Sequence, residues 1–512
     1  MRSVFPVIAN PARVAALAAC ALIACANAQQ RDARPNVLFF LVDDMGITDT
    51  SEPFVYGTDG EPILTALNTR YRTPHIEALA DRGIKFTQAY ACSVCTPTRV
   101  SLMTGMNAAR HHVTTWTHPD VPQDTGSNQV KHLRSPEWRQ AGVDEEDAVL
   151  PRLLKKGGYR TIHAGKAHFG SNGTFGGDPR DLGFDVNIGG HGAGGPGSYL
   201  GEHDFSAAWR GGGAMWDVPG LERYHGEDVF LTEALTREMG RAIEDAVADD
   251  APFFAYMAHY AVHAPFEIDS RFADHYPDLQ GMPLAFATMV EGMDRSLGDL
   301  IAHLDALGVA EETLVVFFSD NGSDGPPNLP LRGKKGTRHE GGIRVPLIVG
   351  WAKSAPEHPL QQALPIPHGS IEEDLVVCED LFATVAAACG VEVEHDVDGH
   401  DLAPYLRGTP GTHRPQDWLV HFPHGHNDDH FTVYRNGSFK LIHSYGTRTW
   451  ELYDLHADPS EKANLVTQRP DLARELAEQM VGKLRALDAQ LPLDAESGEP
   501  VAPAVDAIGS GR

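Results

Sequence analysis

The chain is short of positive charge. Its 512 residues carry 42 Lys+Arg against 70 Asp+Glu, a formal charge of −28. That balance excludes a nucleic-acid binder, which needs clustered cations to neutralise phosphate. Beyond the first 28 residues the chain also lacks any apolar run long enough to span a bilayer. No fixed-period repeat points to a solenoid or propeller. Cysteine is scarce, six in all. Cys378 and Cys389 read as members of one helix, Leu375 to Ala388, in which an eleven-residue separation rises about 16 Å, beyond disulfide reach. They are therefore expected to be buried, inert thiols. What is present is the composition of a globular protein, 42% hydrophobic and 22% charged. The length suggests two or more domains, and 51 Gly and 35 Pro spread along it suggest many long loops.

The start reads as a targeting segment. Residues 1–28 hold Arg2 and Arg13 and no acid, then an apolar run from Val14 to Ala24, then the small-residue cleavage site Ala26-Asn27-Ala28. A signal peptide over 1–28 predicts a periplasmic or secreted protein. Leu22-Ile23-Ala24-Cys25 and Leu17-Ala18-Ala19-Cys20 resemble a lipobox, so a lipid anchor at Cys25 or Cys20 is the alternative to free export.

Beyond the leader, hydrophobic runs end in polar residues. Asn36 to Val42 stops at Asp43-Asp44, and Thr161 to Ala164 leads into Gly165-Lys166-Ala167-His168. Pro252 to Met257 leads to His259 and His263, Thr313 to Phe318 ends at Ser319-Asp320-Asn321, and Val345 to Val349 follows a glycine-rich basic loop. Such runs are buried strands. Helical segments alternate with them, such as Pro74 to Arg82, with Thr73 as N-cap and Gly83 just past the end. The expectation is an α/β fold over 35–413 with a large, mainly parallel central sheet flanked by helices. Its site lies beyond the carboxyl ends of the strands. Gly170 to Gly213 reads as loop, either surface connection or pocket wall. Short strands at Phe431–Arg435, Ser438–His443 and Thr449–Tyr453, with Asn436-Gly437 as a hairpin turn, predict a small antiparallel subdomain over 414–490. A helix from Pro470 to Leu487 packs on it, and 497–512 reads as a disordered tail.

The stretch Ser93-Val94-Cys95-Thr96-Pro97-Thr98-Arg99-Val100-Ser101-Leu102-Met103-Thr104-Gly105 closely resembles the signature of the type I sulfatases, in which the cysteine of Cys-x-Pro-(Ser/Thr)-Arg is oxidised to formylglycine. The resemblance extends over almost all of the chain after the leader. It implies the alkaline-phosphatase-like fold and a calcium site formed by Asp43, Asp44, Asp320 and Asn321. Three carboxylates and an amide oxygen at strand ends suit a hard divalent cation, although either pair alone also suits simple strand-end capping. Gly165-Lys166-Ala167-His168-Phe169-Gly170 and Val262-His263-Ala264-Pro265 resemble two further family segments, and Leu331 to Gly336 resembles its lysine loop. That loop departs from the pattern, with Lys334 where a glycine is common. Lys335 is assigned to sulfate because Gly336 follows it, with Lys334 as the alternative. Glu451 to Leu455, with Asp458-Pro459 and Asn464-Leu465, looks like the family's C-terminal signature and serves architecture.

The resemblance implies a mechanism. A thiol that attacked sulfur would stay sulfated, whereas a hydrated aldehyde attacks with one hydroxyl and expels sulfate as the second collapses to the carbonyl. Cys95 becomes that aldehyde through a formylglycine-generating enzyme. Arg99, Lys166 and Lys335 offset developing negative charge. His263 protonates the leaving alcohol and His168 takes the proton during aldehyde recovery, with the reverse division of roles also open. Sulfated carbohydrate is the expected substrate. The alternatives are a phosphonate or phosphate monoester hydrolase on the same scaffold, or a non-catalytic carbohydrate binder. A redox or metal reading of Cys92-Ser93-Val94-Cys95 gives Pro97 and Arg99 no role and lacks a second cysteine pair. The cluster His421, His424, His426 and His430 reads as a solvated loop, ahead of a second metal site or a sugar-binding rim.

Overall fold

The computed structural model describes residues 34–126, 130–411 and 413–508. The leader over 1–28, with Cys20 and Cys25, lies outside the described residues. Among those described, no helix is long and apolar enough to cross a membrane.

Eight strands form the central sheet: β1 (Asn36–Val42), β2 (Gly83–Phe86), β3 (Arg160–Gly165), β4 (Val186–Ile188), β5 (Phe253–Ala258), β6 (Thr313–Ser319), β7 (Leu347–Trp351) and β8 (Ser370–Glu372). Their spatial order is β8-β2-β7-β6-β1-β5-β3-β4. Every pairing is parallel except those of β7, which runs antiparallel to both β2 and β6. The mainly parallel expectation therefore holds, and the strand expected at Val345 to Val349 is the one that is reversed.

The apolar run of β1 is continuous because both of its faces are buried. Val37, Phe39 and Leu41 pack with Val100 and Leu102 of α2 (Cys95–Thr104) and with Leu381 and Phe382 of α5 (Cys378–Ala388). Leu38, Phe40 and Val42 pack on the other face with Leu235, Met239 and Ile243 of α3 (Leu231–Ala248), and with Met289, Met293 and Leu297 of α4 (Gly281–Ala306). Helix α1 (Pro74–Arg82) begins with Pro74 as expected, but the Thr73 hydroxyl does not cap it. That hydroxyl bonds Thr50 and Ser51 instead, and the Asp294 carboxylate of α4 accepts from the first-turn amides of His75 and Ile76. The cap thus comes from tertiary structure, with the carboxylate at the positive end of the helix dipole.

The C-terminal sheet is an antiparallel meander, β9 (Asp417–Phe422), β10 (Phe431–Asn436), β11 (Phe439–Ser444) and β12 (Thr449–Asp454). Asn436 pairs with Phe439 across the predicted turn, and Gly437 supplies the left-handed φ of 56°. One face of this sheet shares a core with Tyr90, Val94 and Ile343 of the main body. The other is covered by α6 (Pro470–Ala486) through Leu476, Met480 and Leu484. Residues 497–508 differ from the expected disordered tail. Ile508 is 2% exposed within that same core, and the carbonyl oxygens of Ala504 and Ile508 accept from Trp450 and Arg474.

A buried ionic network fastens this sheet to the main body. Lys440 Nζ lies 2.9 Å from Glu340 Oε1 and 2.8 Å from Glu461 Oε1. Tyr90 donates to Glu340 Oε2 at 2.7 Å and takes a bond from Arg435, and the Glu340 amide donates to Glu461 Oε2 at 2.8 Å.

Candidate active site

The ends of β1 and β6 deliver the acids. Val42 is in register with Ser319, so Asp43-Asp44 and Asp320-Asn321 leave neighbouring strands side by side. The Asp44 amide donates to Asp320 Oδ1 at 3.2 Å, and the Met45 amide to Ser319 Oγ at 3.1 Å. Asp44 occupies the left-handed region at φ 60°, a conformation that the surrounding bonds must hold. Oxygens of Asp43, Asp44 and Asp320 lie within 4.8 Å of one another, and all three residues are at most 2% exposed.

Three buried carboxylates at that spacing require compensation. Arg99, one turn into α2, binds Asp320 Oδ2 through Nε and Nη2, each at 2.8 Å, and donates from Nη1 to the Lys166 carbonyl at 2.7 Å. Lys166, just beyond β3, reaches Asp43 Oδ2 at 2.7 Å. Lys335 reaches Asp44 Oδ1 at 2.6 Å. Burial opposes ionisation of each acid, but Lys335 and His263 hold Asp44 well below the usual carboxylate range. Arg99 and Lys166 likewise lower Asp320. Asp43 goes the other way: burial and then the neighbouring Asp320 push it well up.

This donor set suits a divalent cation. Asp43 Oδ1 and Asn321 Oδ1 are buried and make no hydrogen bond, while Asn321 Nδ2 donates to Asp44 Oδ1 at 2.8 Å. Strand-end capping alone would satisfy such atoms, because burying an unpaired oxygen is costly. Together the four residues offer oxygen ligands of the kind that hard cations take.

Cys95 opens α2 beside this cluster. Its N-cap, Val94, supplies no side-chain cap. The Cys95 sulfur lies 3.3 Å from His168 Nδ1. His168 Nε2 is 3.0 Å from the Thr117 carbonyl, which can only accept, so Nε2 carries the proton and Nδ1 presents its lone pair to residue 95. The approach depends on Gly165 at φ 99°, where a Cβ would lie 1.9 Å from the Ala258 carbonyl oxygen. His263 uses Nδ1 to donate to the Ala264 carbonyl at 2.7 Å and points Nε2 toward Asp44 at 3.7 Å. Its side chain is 24% exposed, whereas His168 is 1% exposed. Burial and then Lys335 push His263 down to about 3, and burial and then Lys166 push His168 well down.

All ten residues singled out in the sequence thus converge on one place. Of the two lysines, Lys335 enters the carboxylate cluster, while Lys334 is exposed and bonds Asp324 at 3.2 Å. The lysine loop is pinned close to Cys95, since the Gly336 amide donates to the Ser93 carbonyl at 2.6 Å. The loop expected over Gly170 to Gly213 contains β4, and its glycine-rich part is a wall of the site. A Cβ on Gly194 would meet His168 at 2.6 Å, and one on Gly195 would meet His263 at 2.9 Å. Sequence reasoning missed Tyr199, whose hydroxyl donates to the carbonyls of Tyr260 at 2.6 Å and His263 at 2.8 Å and so fixes the His263 segment. Only a lone aromatic in a glycine-rich loop marked it.

Two cysteine and histidine readings are settled by geometry. Cys92, Cys95, Cys378 and Cys389 are buried and form no disulfide with one another. The histidine cluster is not a solvated loop: His421, His424 and His430 are at most 2% exposed. His421 bonds Thr432 and the Gln490 carbonyl, and His424 bonds Thr114 and Ser135. Among the described residues, only Asp43, Asp44 and Asp320 group at metal-ligating spacing.

A family model described as sulfatase matches residues 35–391, and a second, described as N-sulphoglucosamine sulphohydrolase, C-terminal, matches 334–490. A sulfatase of Formosa agariphila is 27% identical over 88% of this chain and 88% of its own length. The N-acetylgalactosamine-6-sulfatase of Mus musculus is 30% identical over 73% of this chain and 66% of its own. Among solved structures, Ps i-CgsB superposes with a TM-score of 0.68 at 26% identity, covering 88% of this chain and 93% of that one. A second crystal structure of Ps i-CgsB, in complex with k-i-k-neocarrahexaose, gives a TM-score of 0.67 at 25% identity, with the same coverage.

Proposed function

The chain belongs to the sulfatase family and is a sulfuric ester hydrolase, and on that premise we propose that it is exported and releases sulfate from a sulfated carbohydrate, using formylglycine at position 95 and calcium. The observation that carries this reading is the buried cluster beside Cys95, three carboxylates matched by three cations yet with Asp43 Oδ1 and Asn321 Oδ1 lacking a hydrogen bond. The substrate class is supported by the neocarrahexaose held by Ps i-CgsB and by the N-acetylgalactosamine-6-sulfatases among the relatives. Export rests on residues 1–28, and release from the leader leaves a periplasmic or secreted protein.

Asp43, Asp44, Asp320 and Asn321 would hold the calcium, which when bound supplies positive charge against the sulfate oxygens. Formylglycine at residue 95 would supply, as its hydrate, a hydroxyl nucleophile and a second hydroxyl for release of the sulfate. The remaining work belongs to the side chains. Lys166 and Lys335 lie 2.7 and 2.6 Å from carboxylates that a divalent cation would also engage. Their ammonium groups would face the ester, and Arg99, held by Asp320 and the Lys166 carbonyl, keeps its guanidinium at the base of the site. His168 Nδ1 faces residue 95 as a proton acceptor. His263, the more exposed of the two, faces the departing alcohol as its proton donor. An anionic ester against Lys335 offsets the cation that depresses His263, raising its proton affinity when substrate is present.

The test is parallel measurement of sulfate and phosphate release by the full chain, produced together with a formylglycine-generating enzyme, before and after chelation. The account expects sulfate release that chelator abolishes and calcium restores. Phosphate release in its place would favour a phosphate or phosphonate monoester hydrolase. Asp320→Asn should lose the calcium-dependent stabilisation, which for the wild type is about 2.7 kcal/mol at a hundredfold excess over Kd and is read as a rise in the unfolding midpoint.

A further inference from the structure

The segment between β9 and β10 reaches from the C-terminal sheet to the lysine loop. Asn427 Nδ2 donates to the Lys335 carbonyl at 3.0 Å. Asp428 pairs with Arg338 and accepts from its amide at 3.2 Å. His424 anchors the segment from the other side through Thr114 at 2.8 Å and Ser135 at 3.0 Å. These bonds fix the residue between them. His426 lies against Gly336, where a Cβ would come within 2.6 Å of its Cδ2. Gly336 follows the lysine whose ammonium enters the carboxylate cluster.

Within the histidine cluster His426 is the exception. The other three are buried, whereas His426 is half-buried, and its imidazole makes no hydrogen bond to any described residue. A ring held in place by its backbone, left without a partner and set beside Lys335 is free to bond what the site binds. We propose that His426 is a specificity-determining residue that hydrogen-bonds a ring hydroxyl of the sugar carrying the sulfate ester. The inference rests on the sulfated-carbohydrate reading above and adds a contact to it. Lys335 is assigned to the sulfate, so a group one residue further out meets the carbon frame that bears it. A neutral imidazole offers one donor and one acceptor, matching a hydroxyl, which is both. Burial and then Lys335 lower His426 from its ordinary value, in keeping with the neutral form. The rim cation Lys334 is taken up by Asp324 at 3.2 Å, so the position next to the ester suits a hydroxyl better than a second anionic group.

The test compares His426→Ala and His426→Gln with the wild type, each matured at position 95 and loaded with calcium. The probes are para-nitrophenyl sulfate and a panel of sulfated oligosaccharides from carrageenan and glycosaminoglycans. The readout is the ratio of kcat/KM on the best oligosaccharide to that on the aryl sulfate, because this ratio is independent of how much of each variant folds. We expect it to fall about tenfold or more in the alanine variant, chiefly through KM on the sugar, since a site built to bond a hydroxyl loses discrimination when the bond is removed. Glutamine, which keeps a donor and an acceptor, should recover part of the loss. A ratio unchanged in both variants would overturn the inference while leaving the carbohydrate reading intact. A wild type that cleaves the aryl sulfate and none of the panel would overturn the carbohydrate reading and this inference with it.

Discussion

Two clusters of buried charge, one beside Cys95 and one under the C-terminal sheet, use the same residue types to different ends. In the Glu340–Lys440–Glu461 network every carboxylate oxygen has a lysine, a tyrosine hydroxyl or an amide within 2.9 Å. In the Asp43–Asp44–Asp320 cluster three carboxylates face three cations, but Asp43 Oδ1 has only Arg99 at 3.7 Å and Asn321 Oδ1 has no hydrogen bond. In the first cluster even Glu461 Oε1, which makes no hydrogen bond, has the Lys440 ammonium at 2.8 Å, and the cluster serves architecture. The second is incomplete without a ligand, and it is flanked by a thiol, two neutral histidines and a wall of glycines. Completeness of pairing, rather than burial or charge count, separates the structural cluster from the chemical one.

The largest effect that would sharpen this contrast is on turnover. Cys95→Ala is expected to lower sulfate release by about 10⁴-fold or more and to leave the unfolding midpoint near that of the wild type. Wild-type rates in that variant would sink the mechanism. Lys440→Met should do the opposite. Leaving Glu340 and Glu461 buried without their cation is expected to cost about 3–5 kcal/mol of stability, read by urea unfolding, while the folded fraction keeps its activity per molecule.

Within the site the two adjacent lysines should separate. Lys335→Ala is expected to reduce kcat by about a hundredfold or more, and Lys334→Ala, which loses only an exposed pair with Asp324, by less than about threefold. Equal losses would return the sulfate contact to the choice that the sequence left open.

Acid should weaken the central-sheet body through histidines held neutral by burial. His163 and His259 are pushed down to about 3 from an ordinary value of 6.5, by burial first. Between those values the unfolded chain binds more protons than the folded one, so the stability they contribute is present above pH 6.5 and is lost as pH falls toward 3. Each such histidine should account for about 1–2 kcal/mol at pH 5. Urea midpoints measured near neutrality and near pH 5 check this.

The site was legible in the sequence because it is built from short contiguous motifs at strand ends. Asp43-Asp44, Lys166 to His168, and Asp320-Asn321 each follow an apolar run, and the register of β1 with β6 does the rest. Features defined by distant partners were not legible. His421 and His424 are buried because Gln490, Thr114 and Ser135 satisfy them, and nothing in a His-rich stretch announces partners so far along the chain. Strand β2 was hidden because Gly83 reads correctly as the end of α1 and serves at once as the start of a four-residue strand. The direction of β7 is topology, which an apolar run does not encode. The packed segment to Ile508 looked like a tail because its anchors, Trp450 and Arg474, belong to other elements.

The account depends most directly on the chemical state of residue 95. With protein purified from its native host, the mass of the proteolytic peptide spanning Cys95 decides the matter. The account predicts a peptide about 18 Da lighter than the thiol form, the change from thiol to aldehyde. A peptide at the full thiol mass would contradict it and leave the cluster beside Cys95 without its nucleophile.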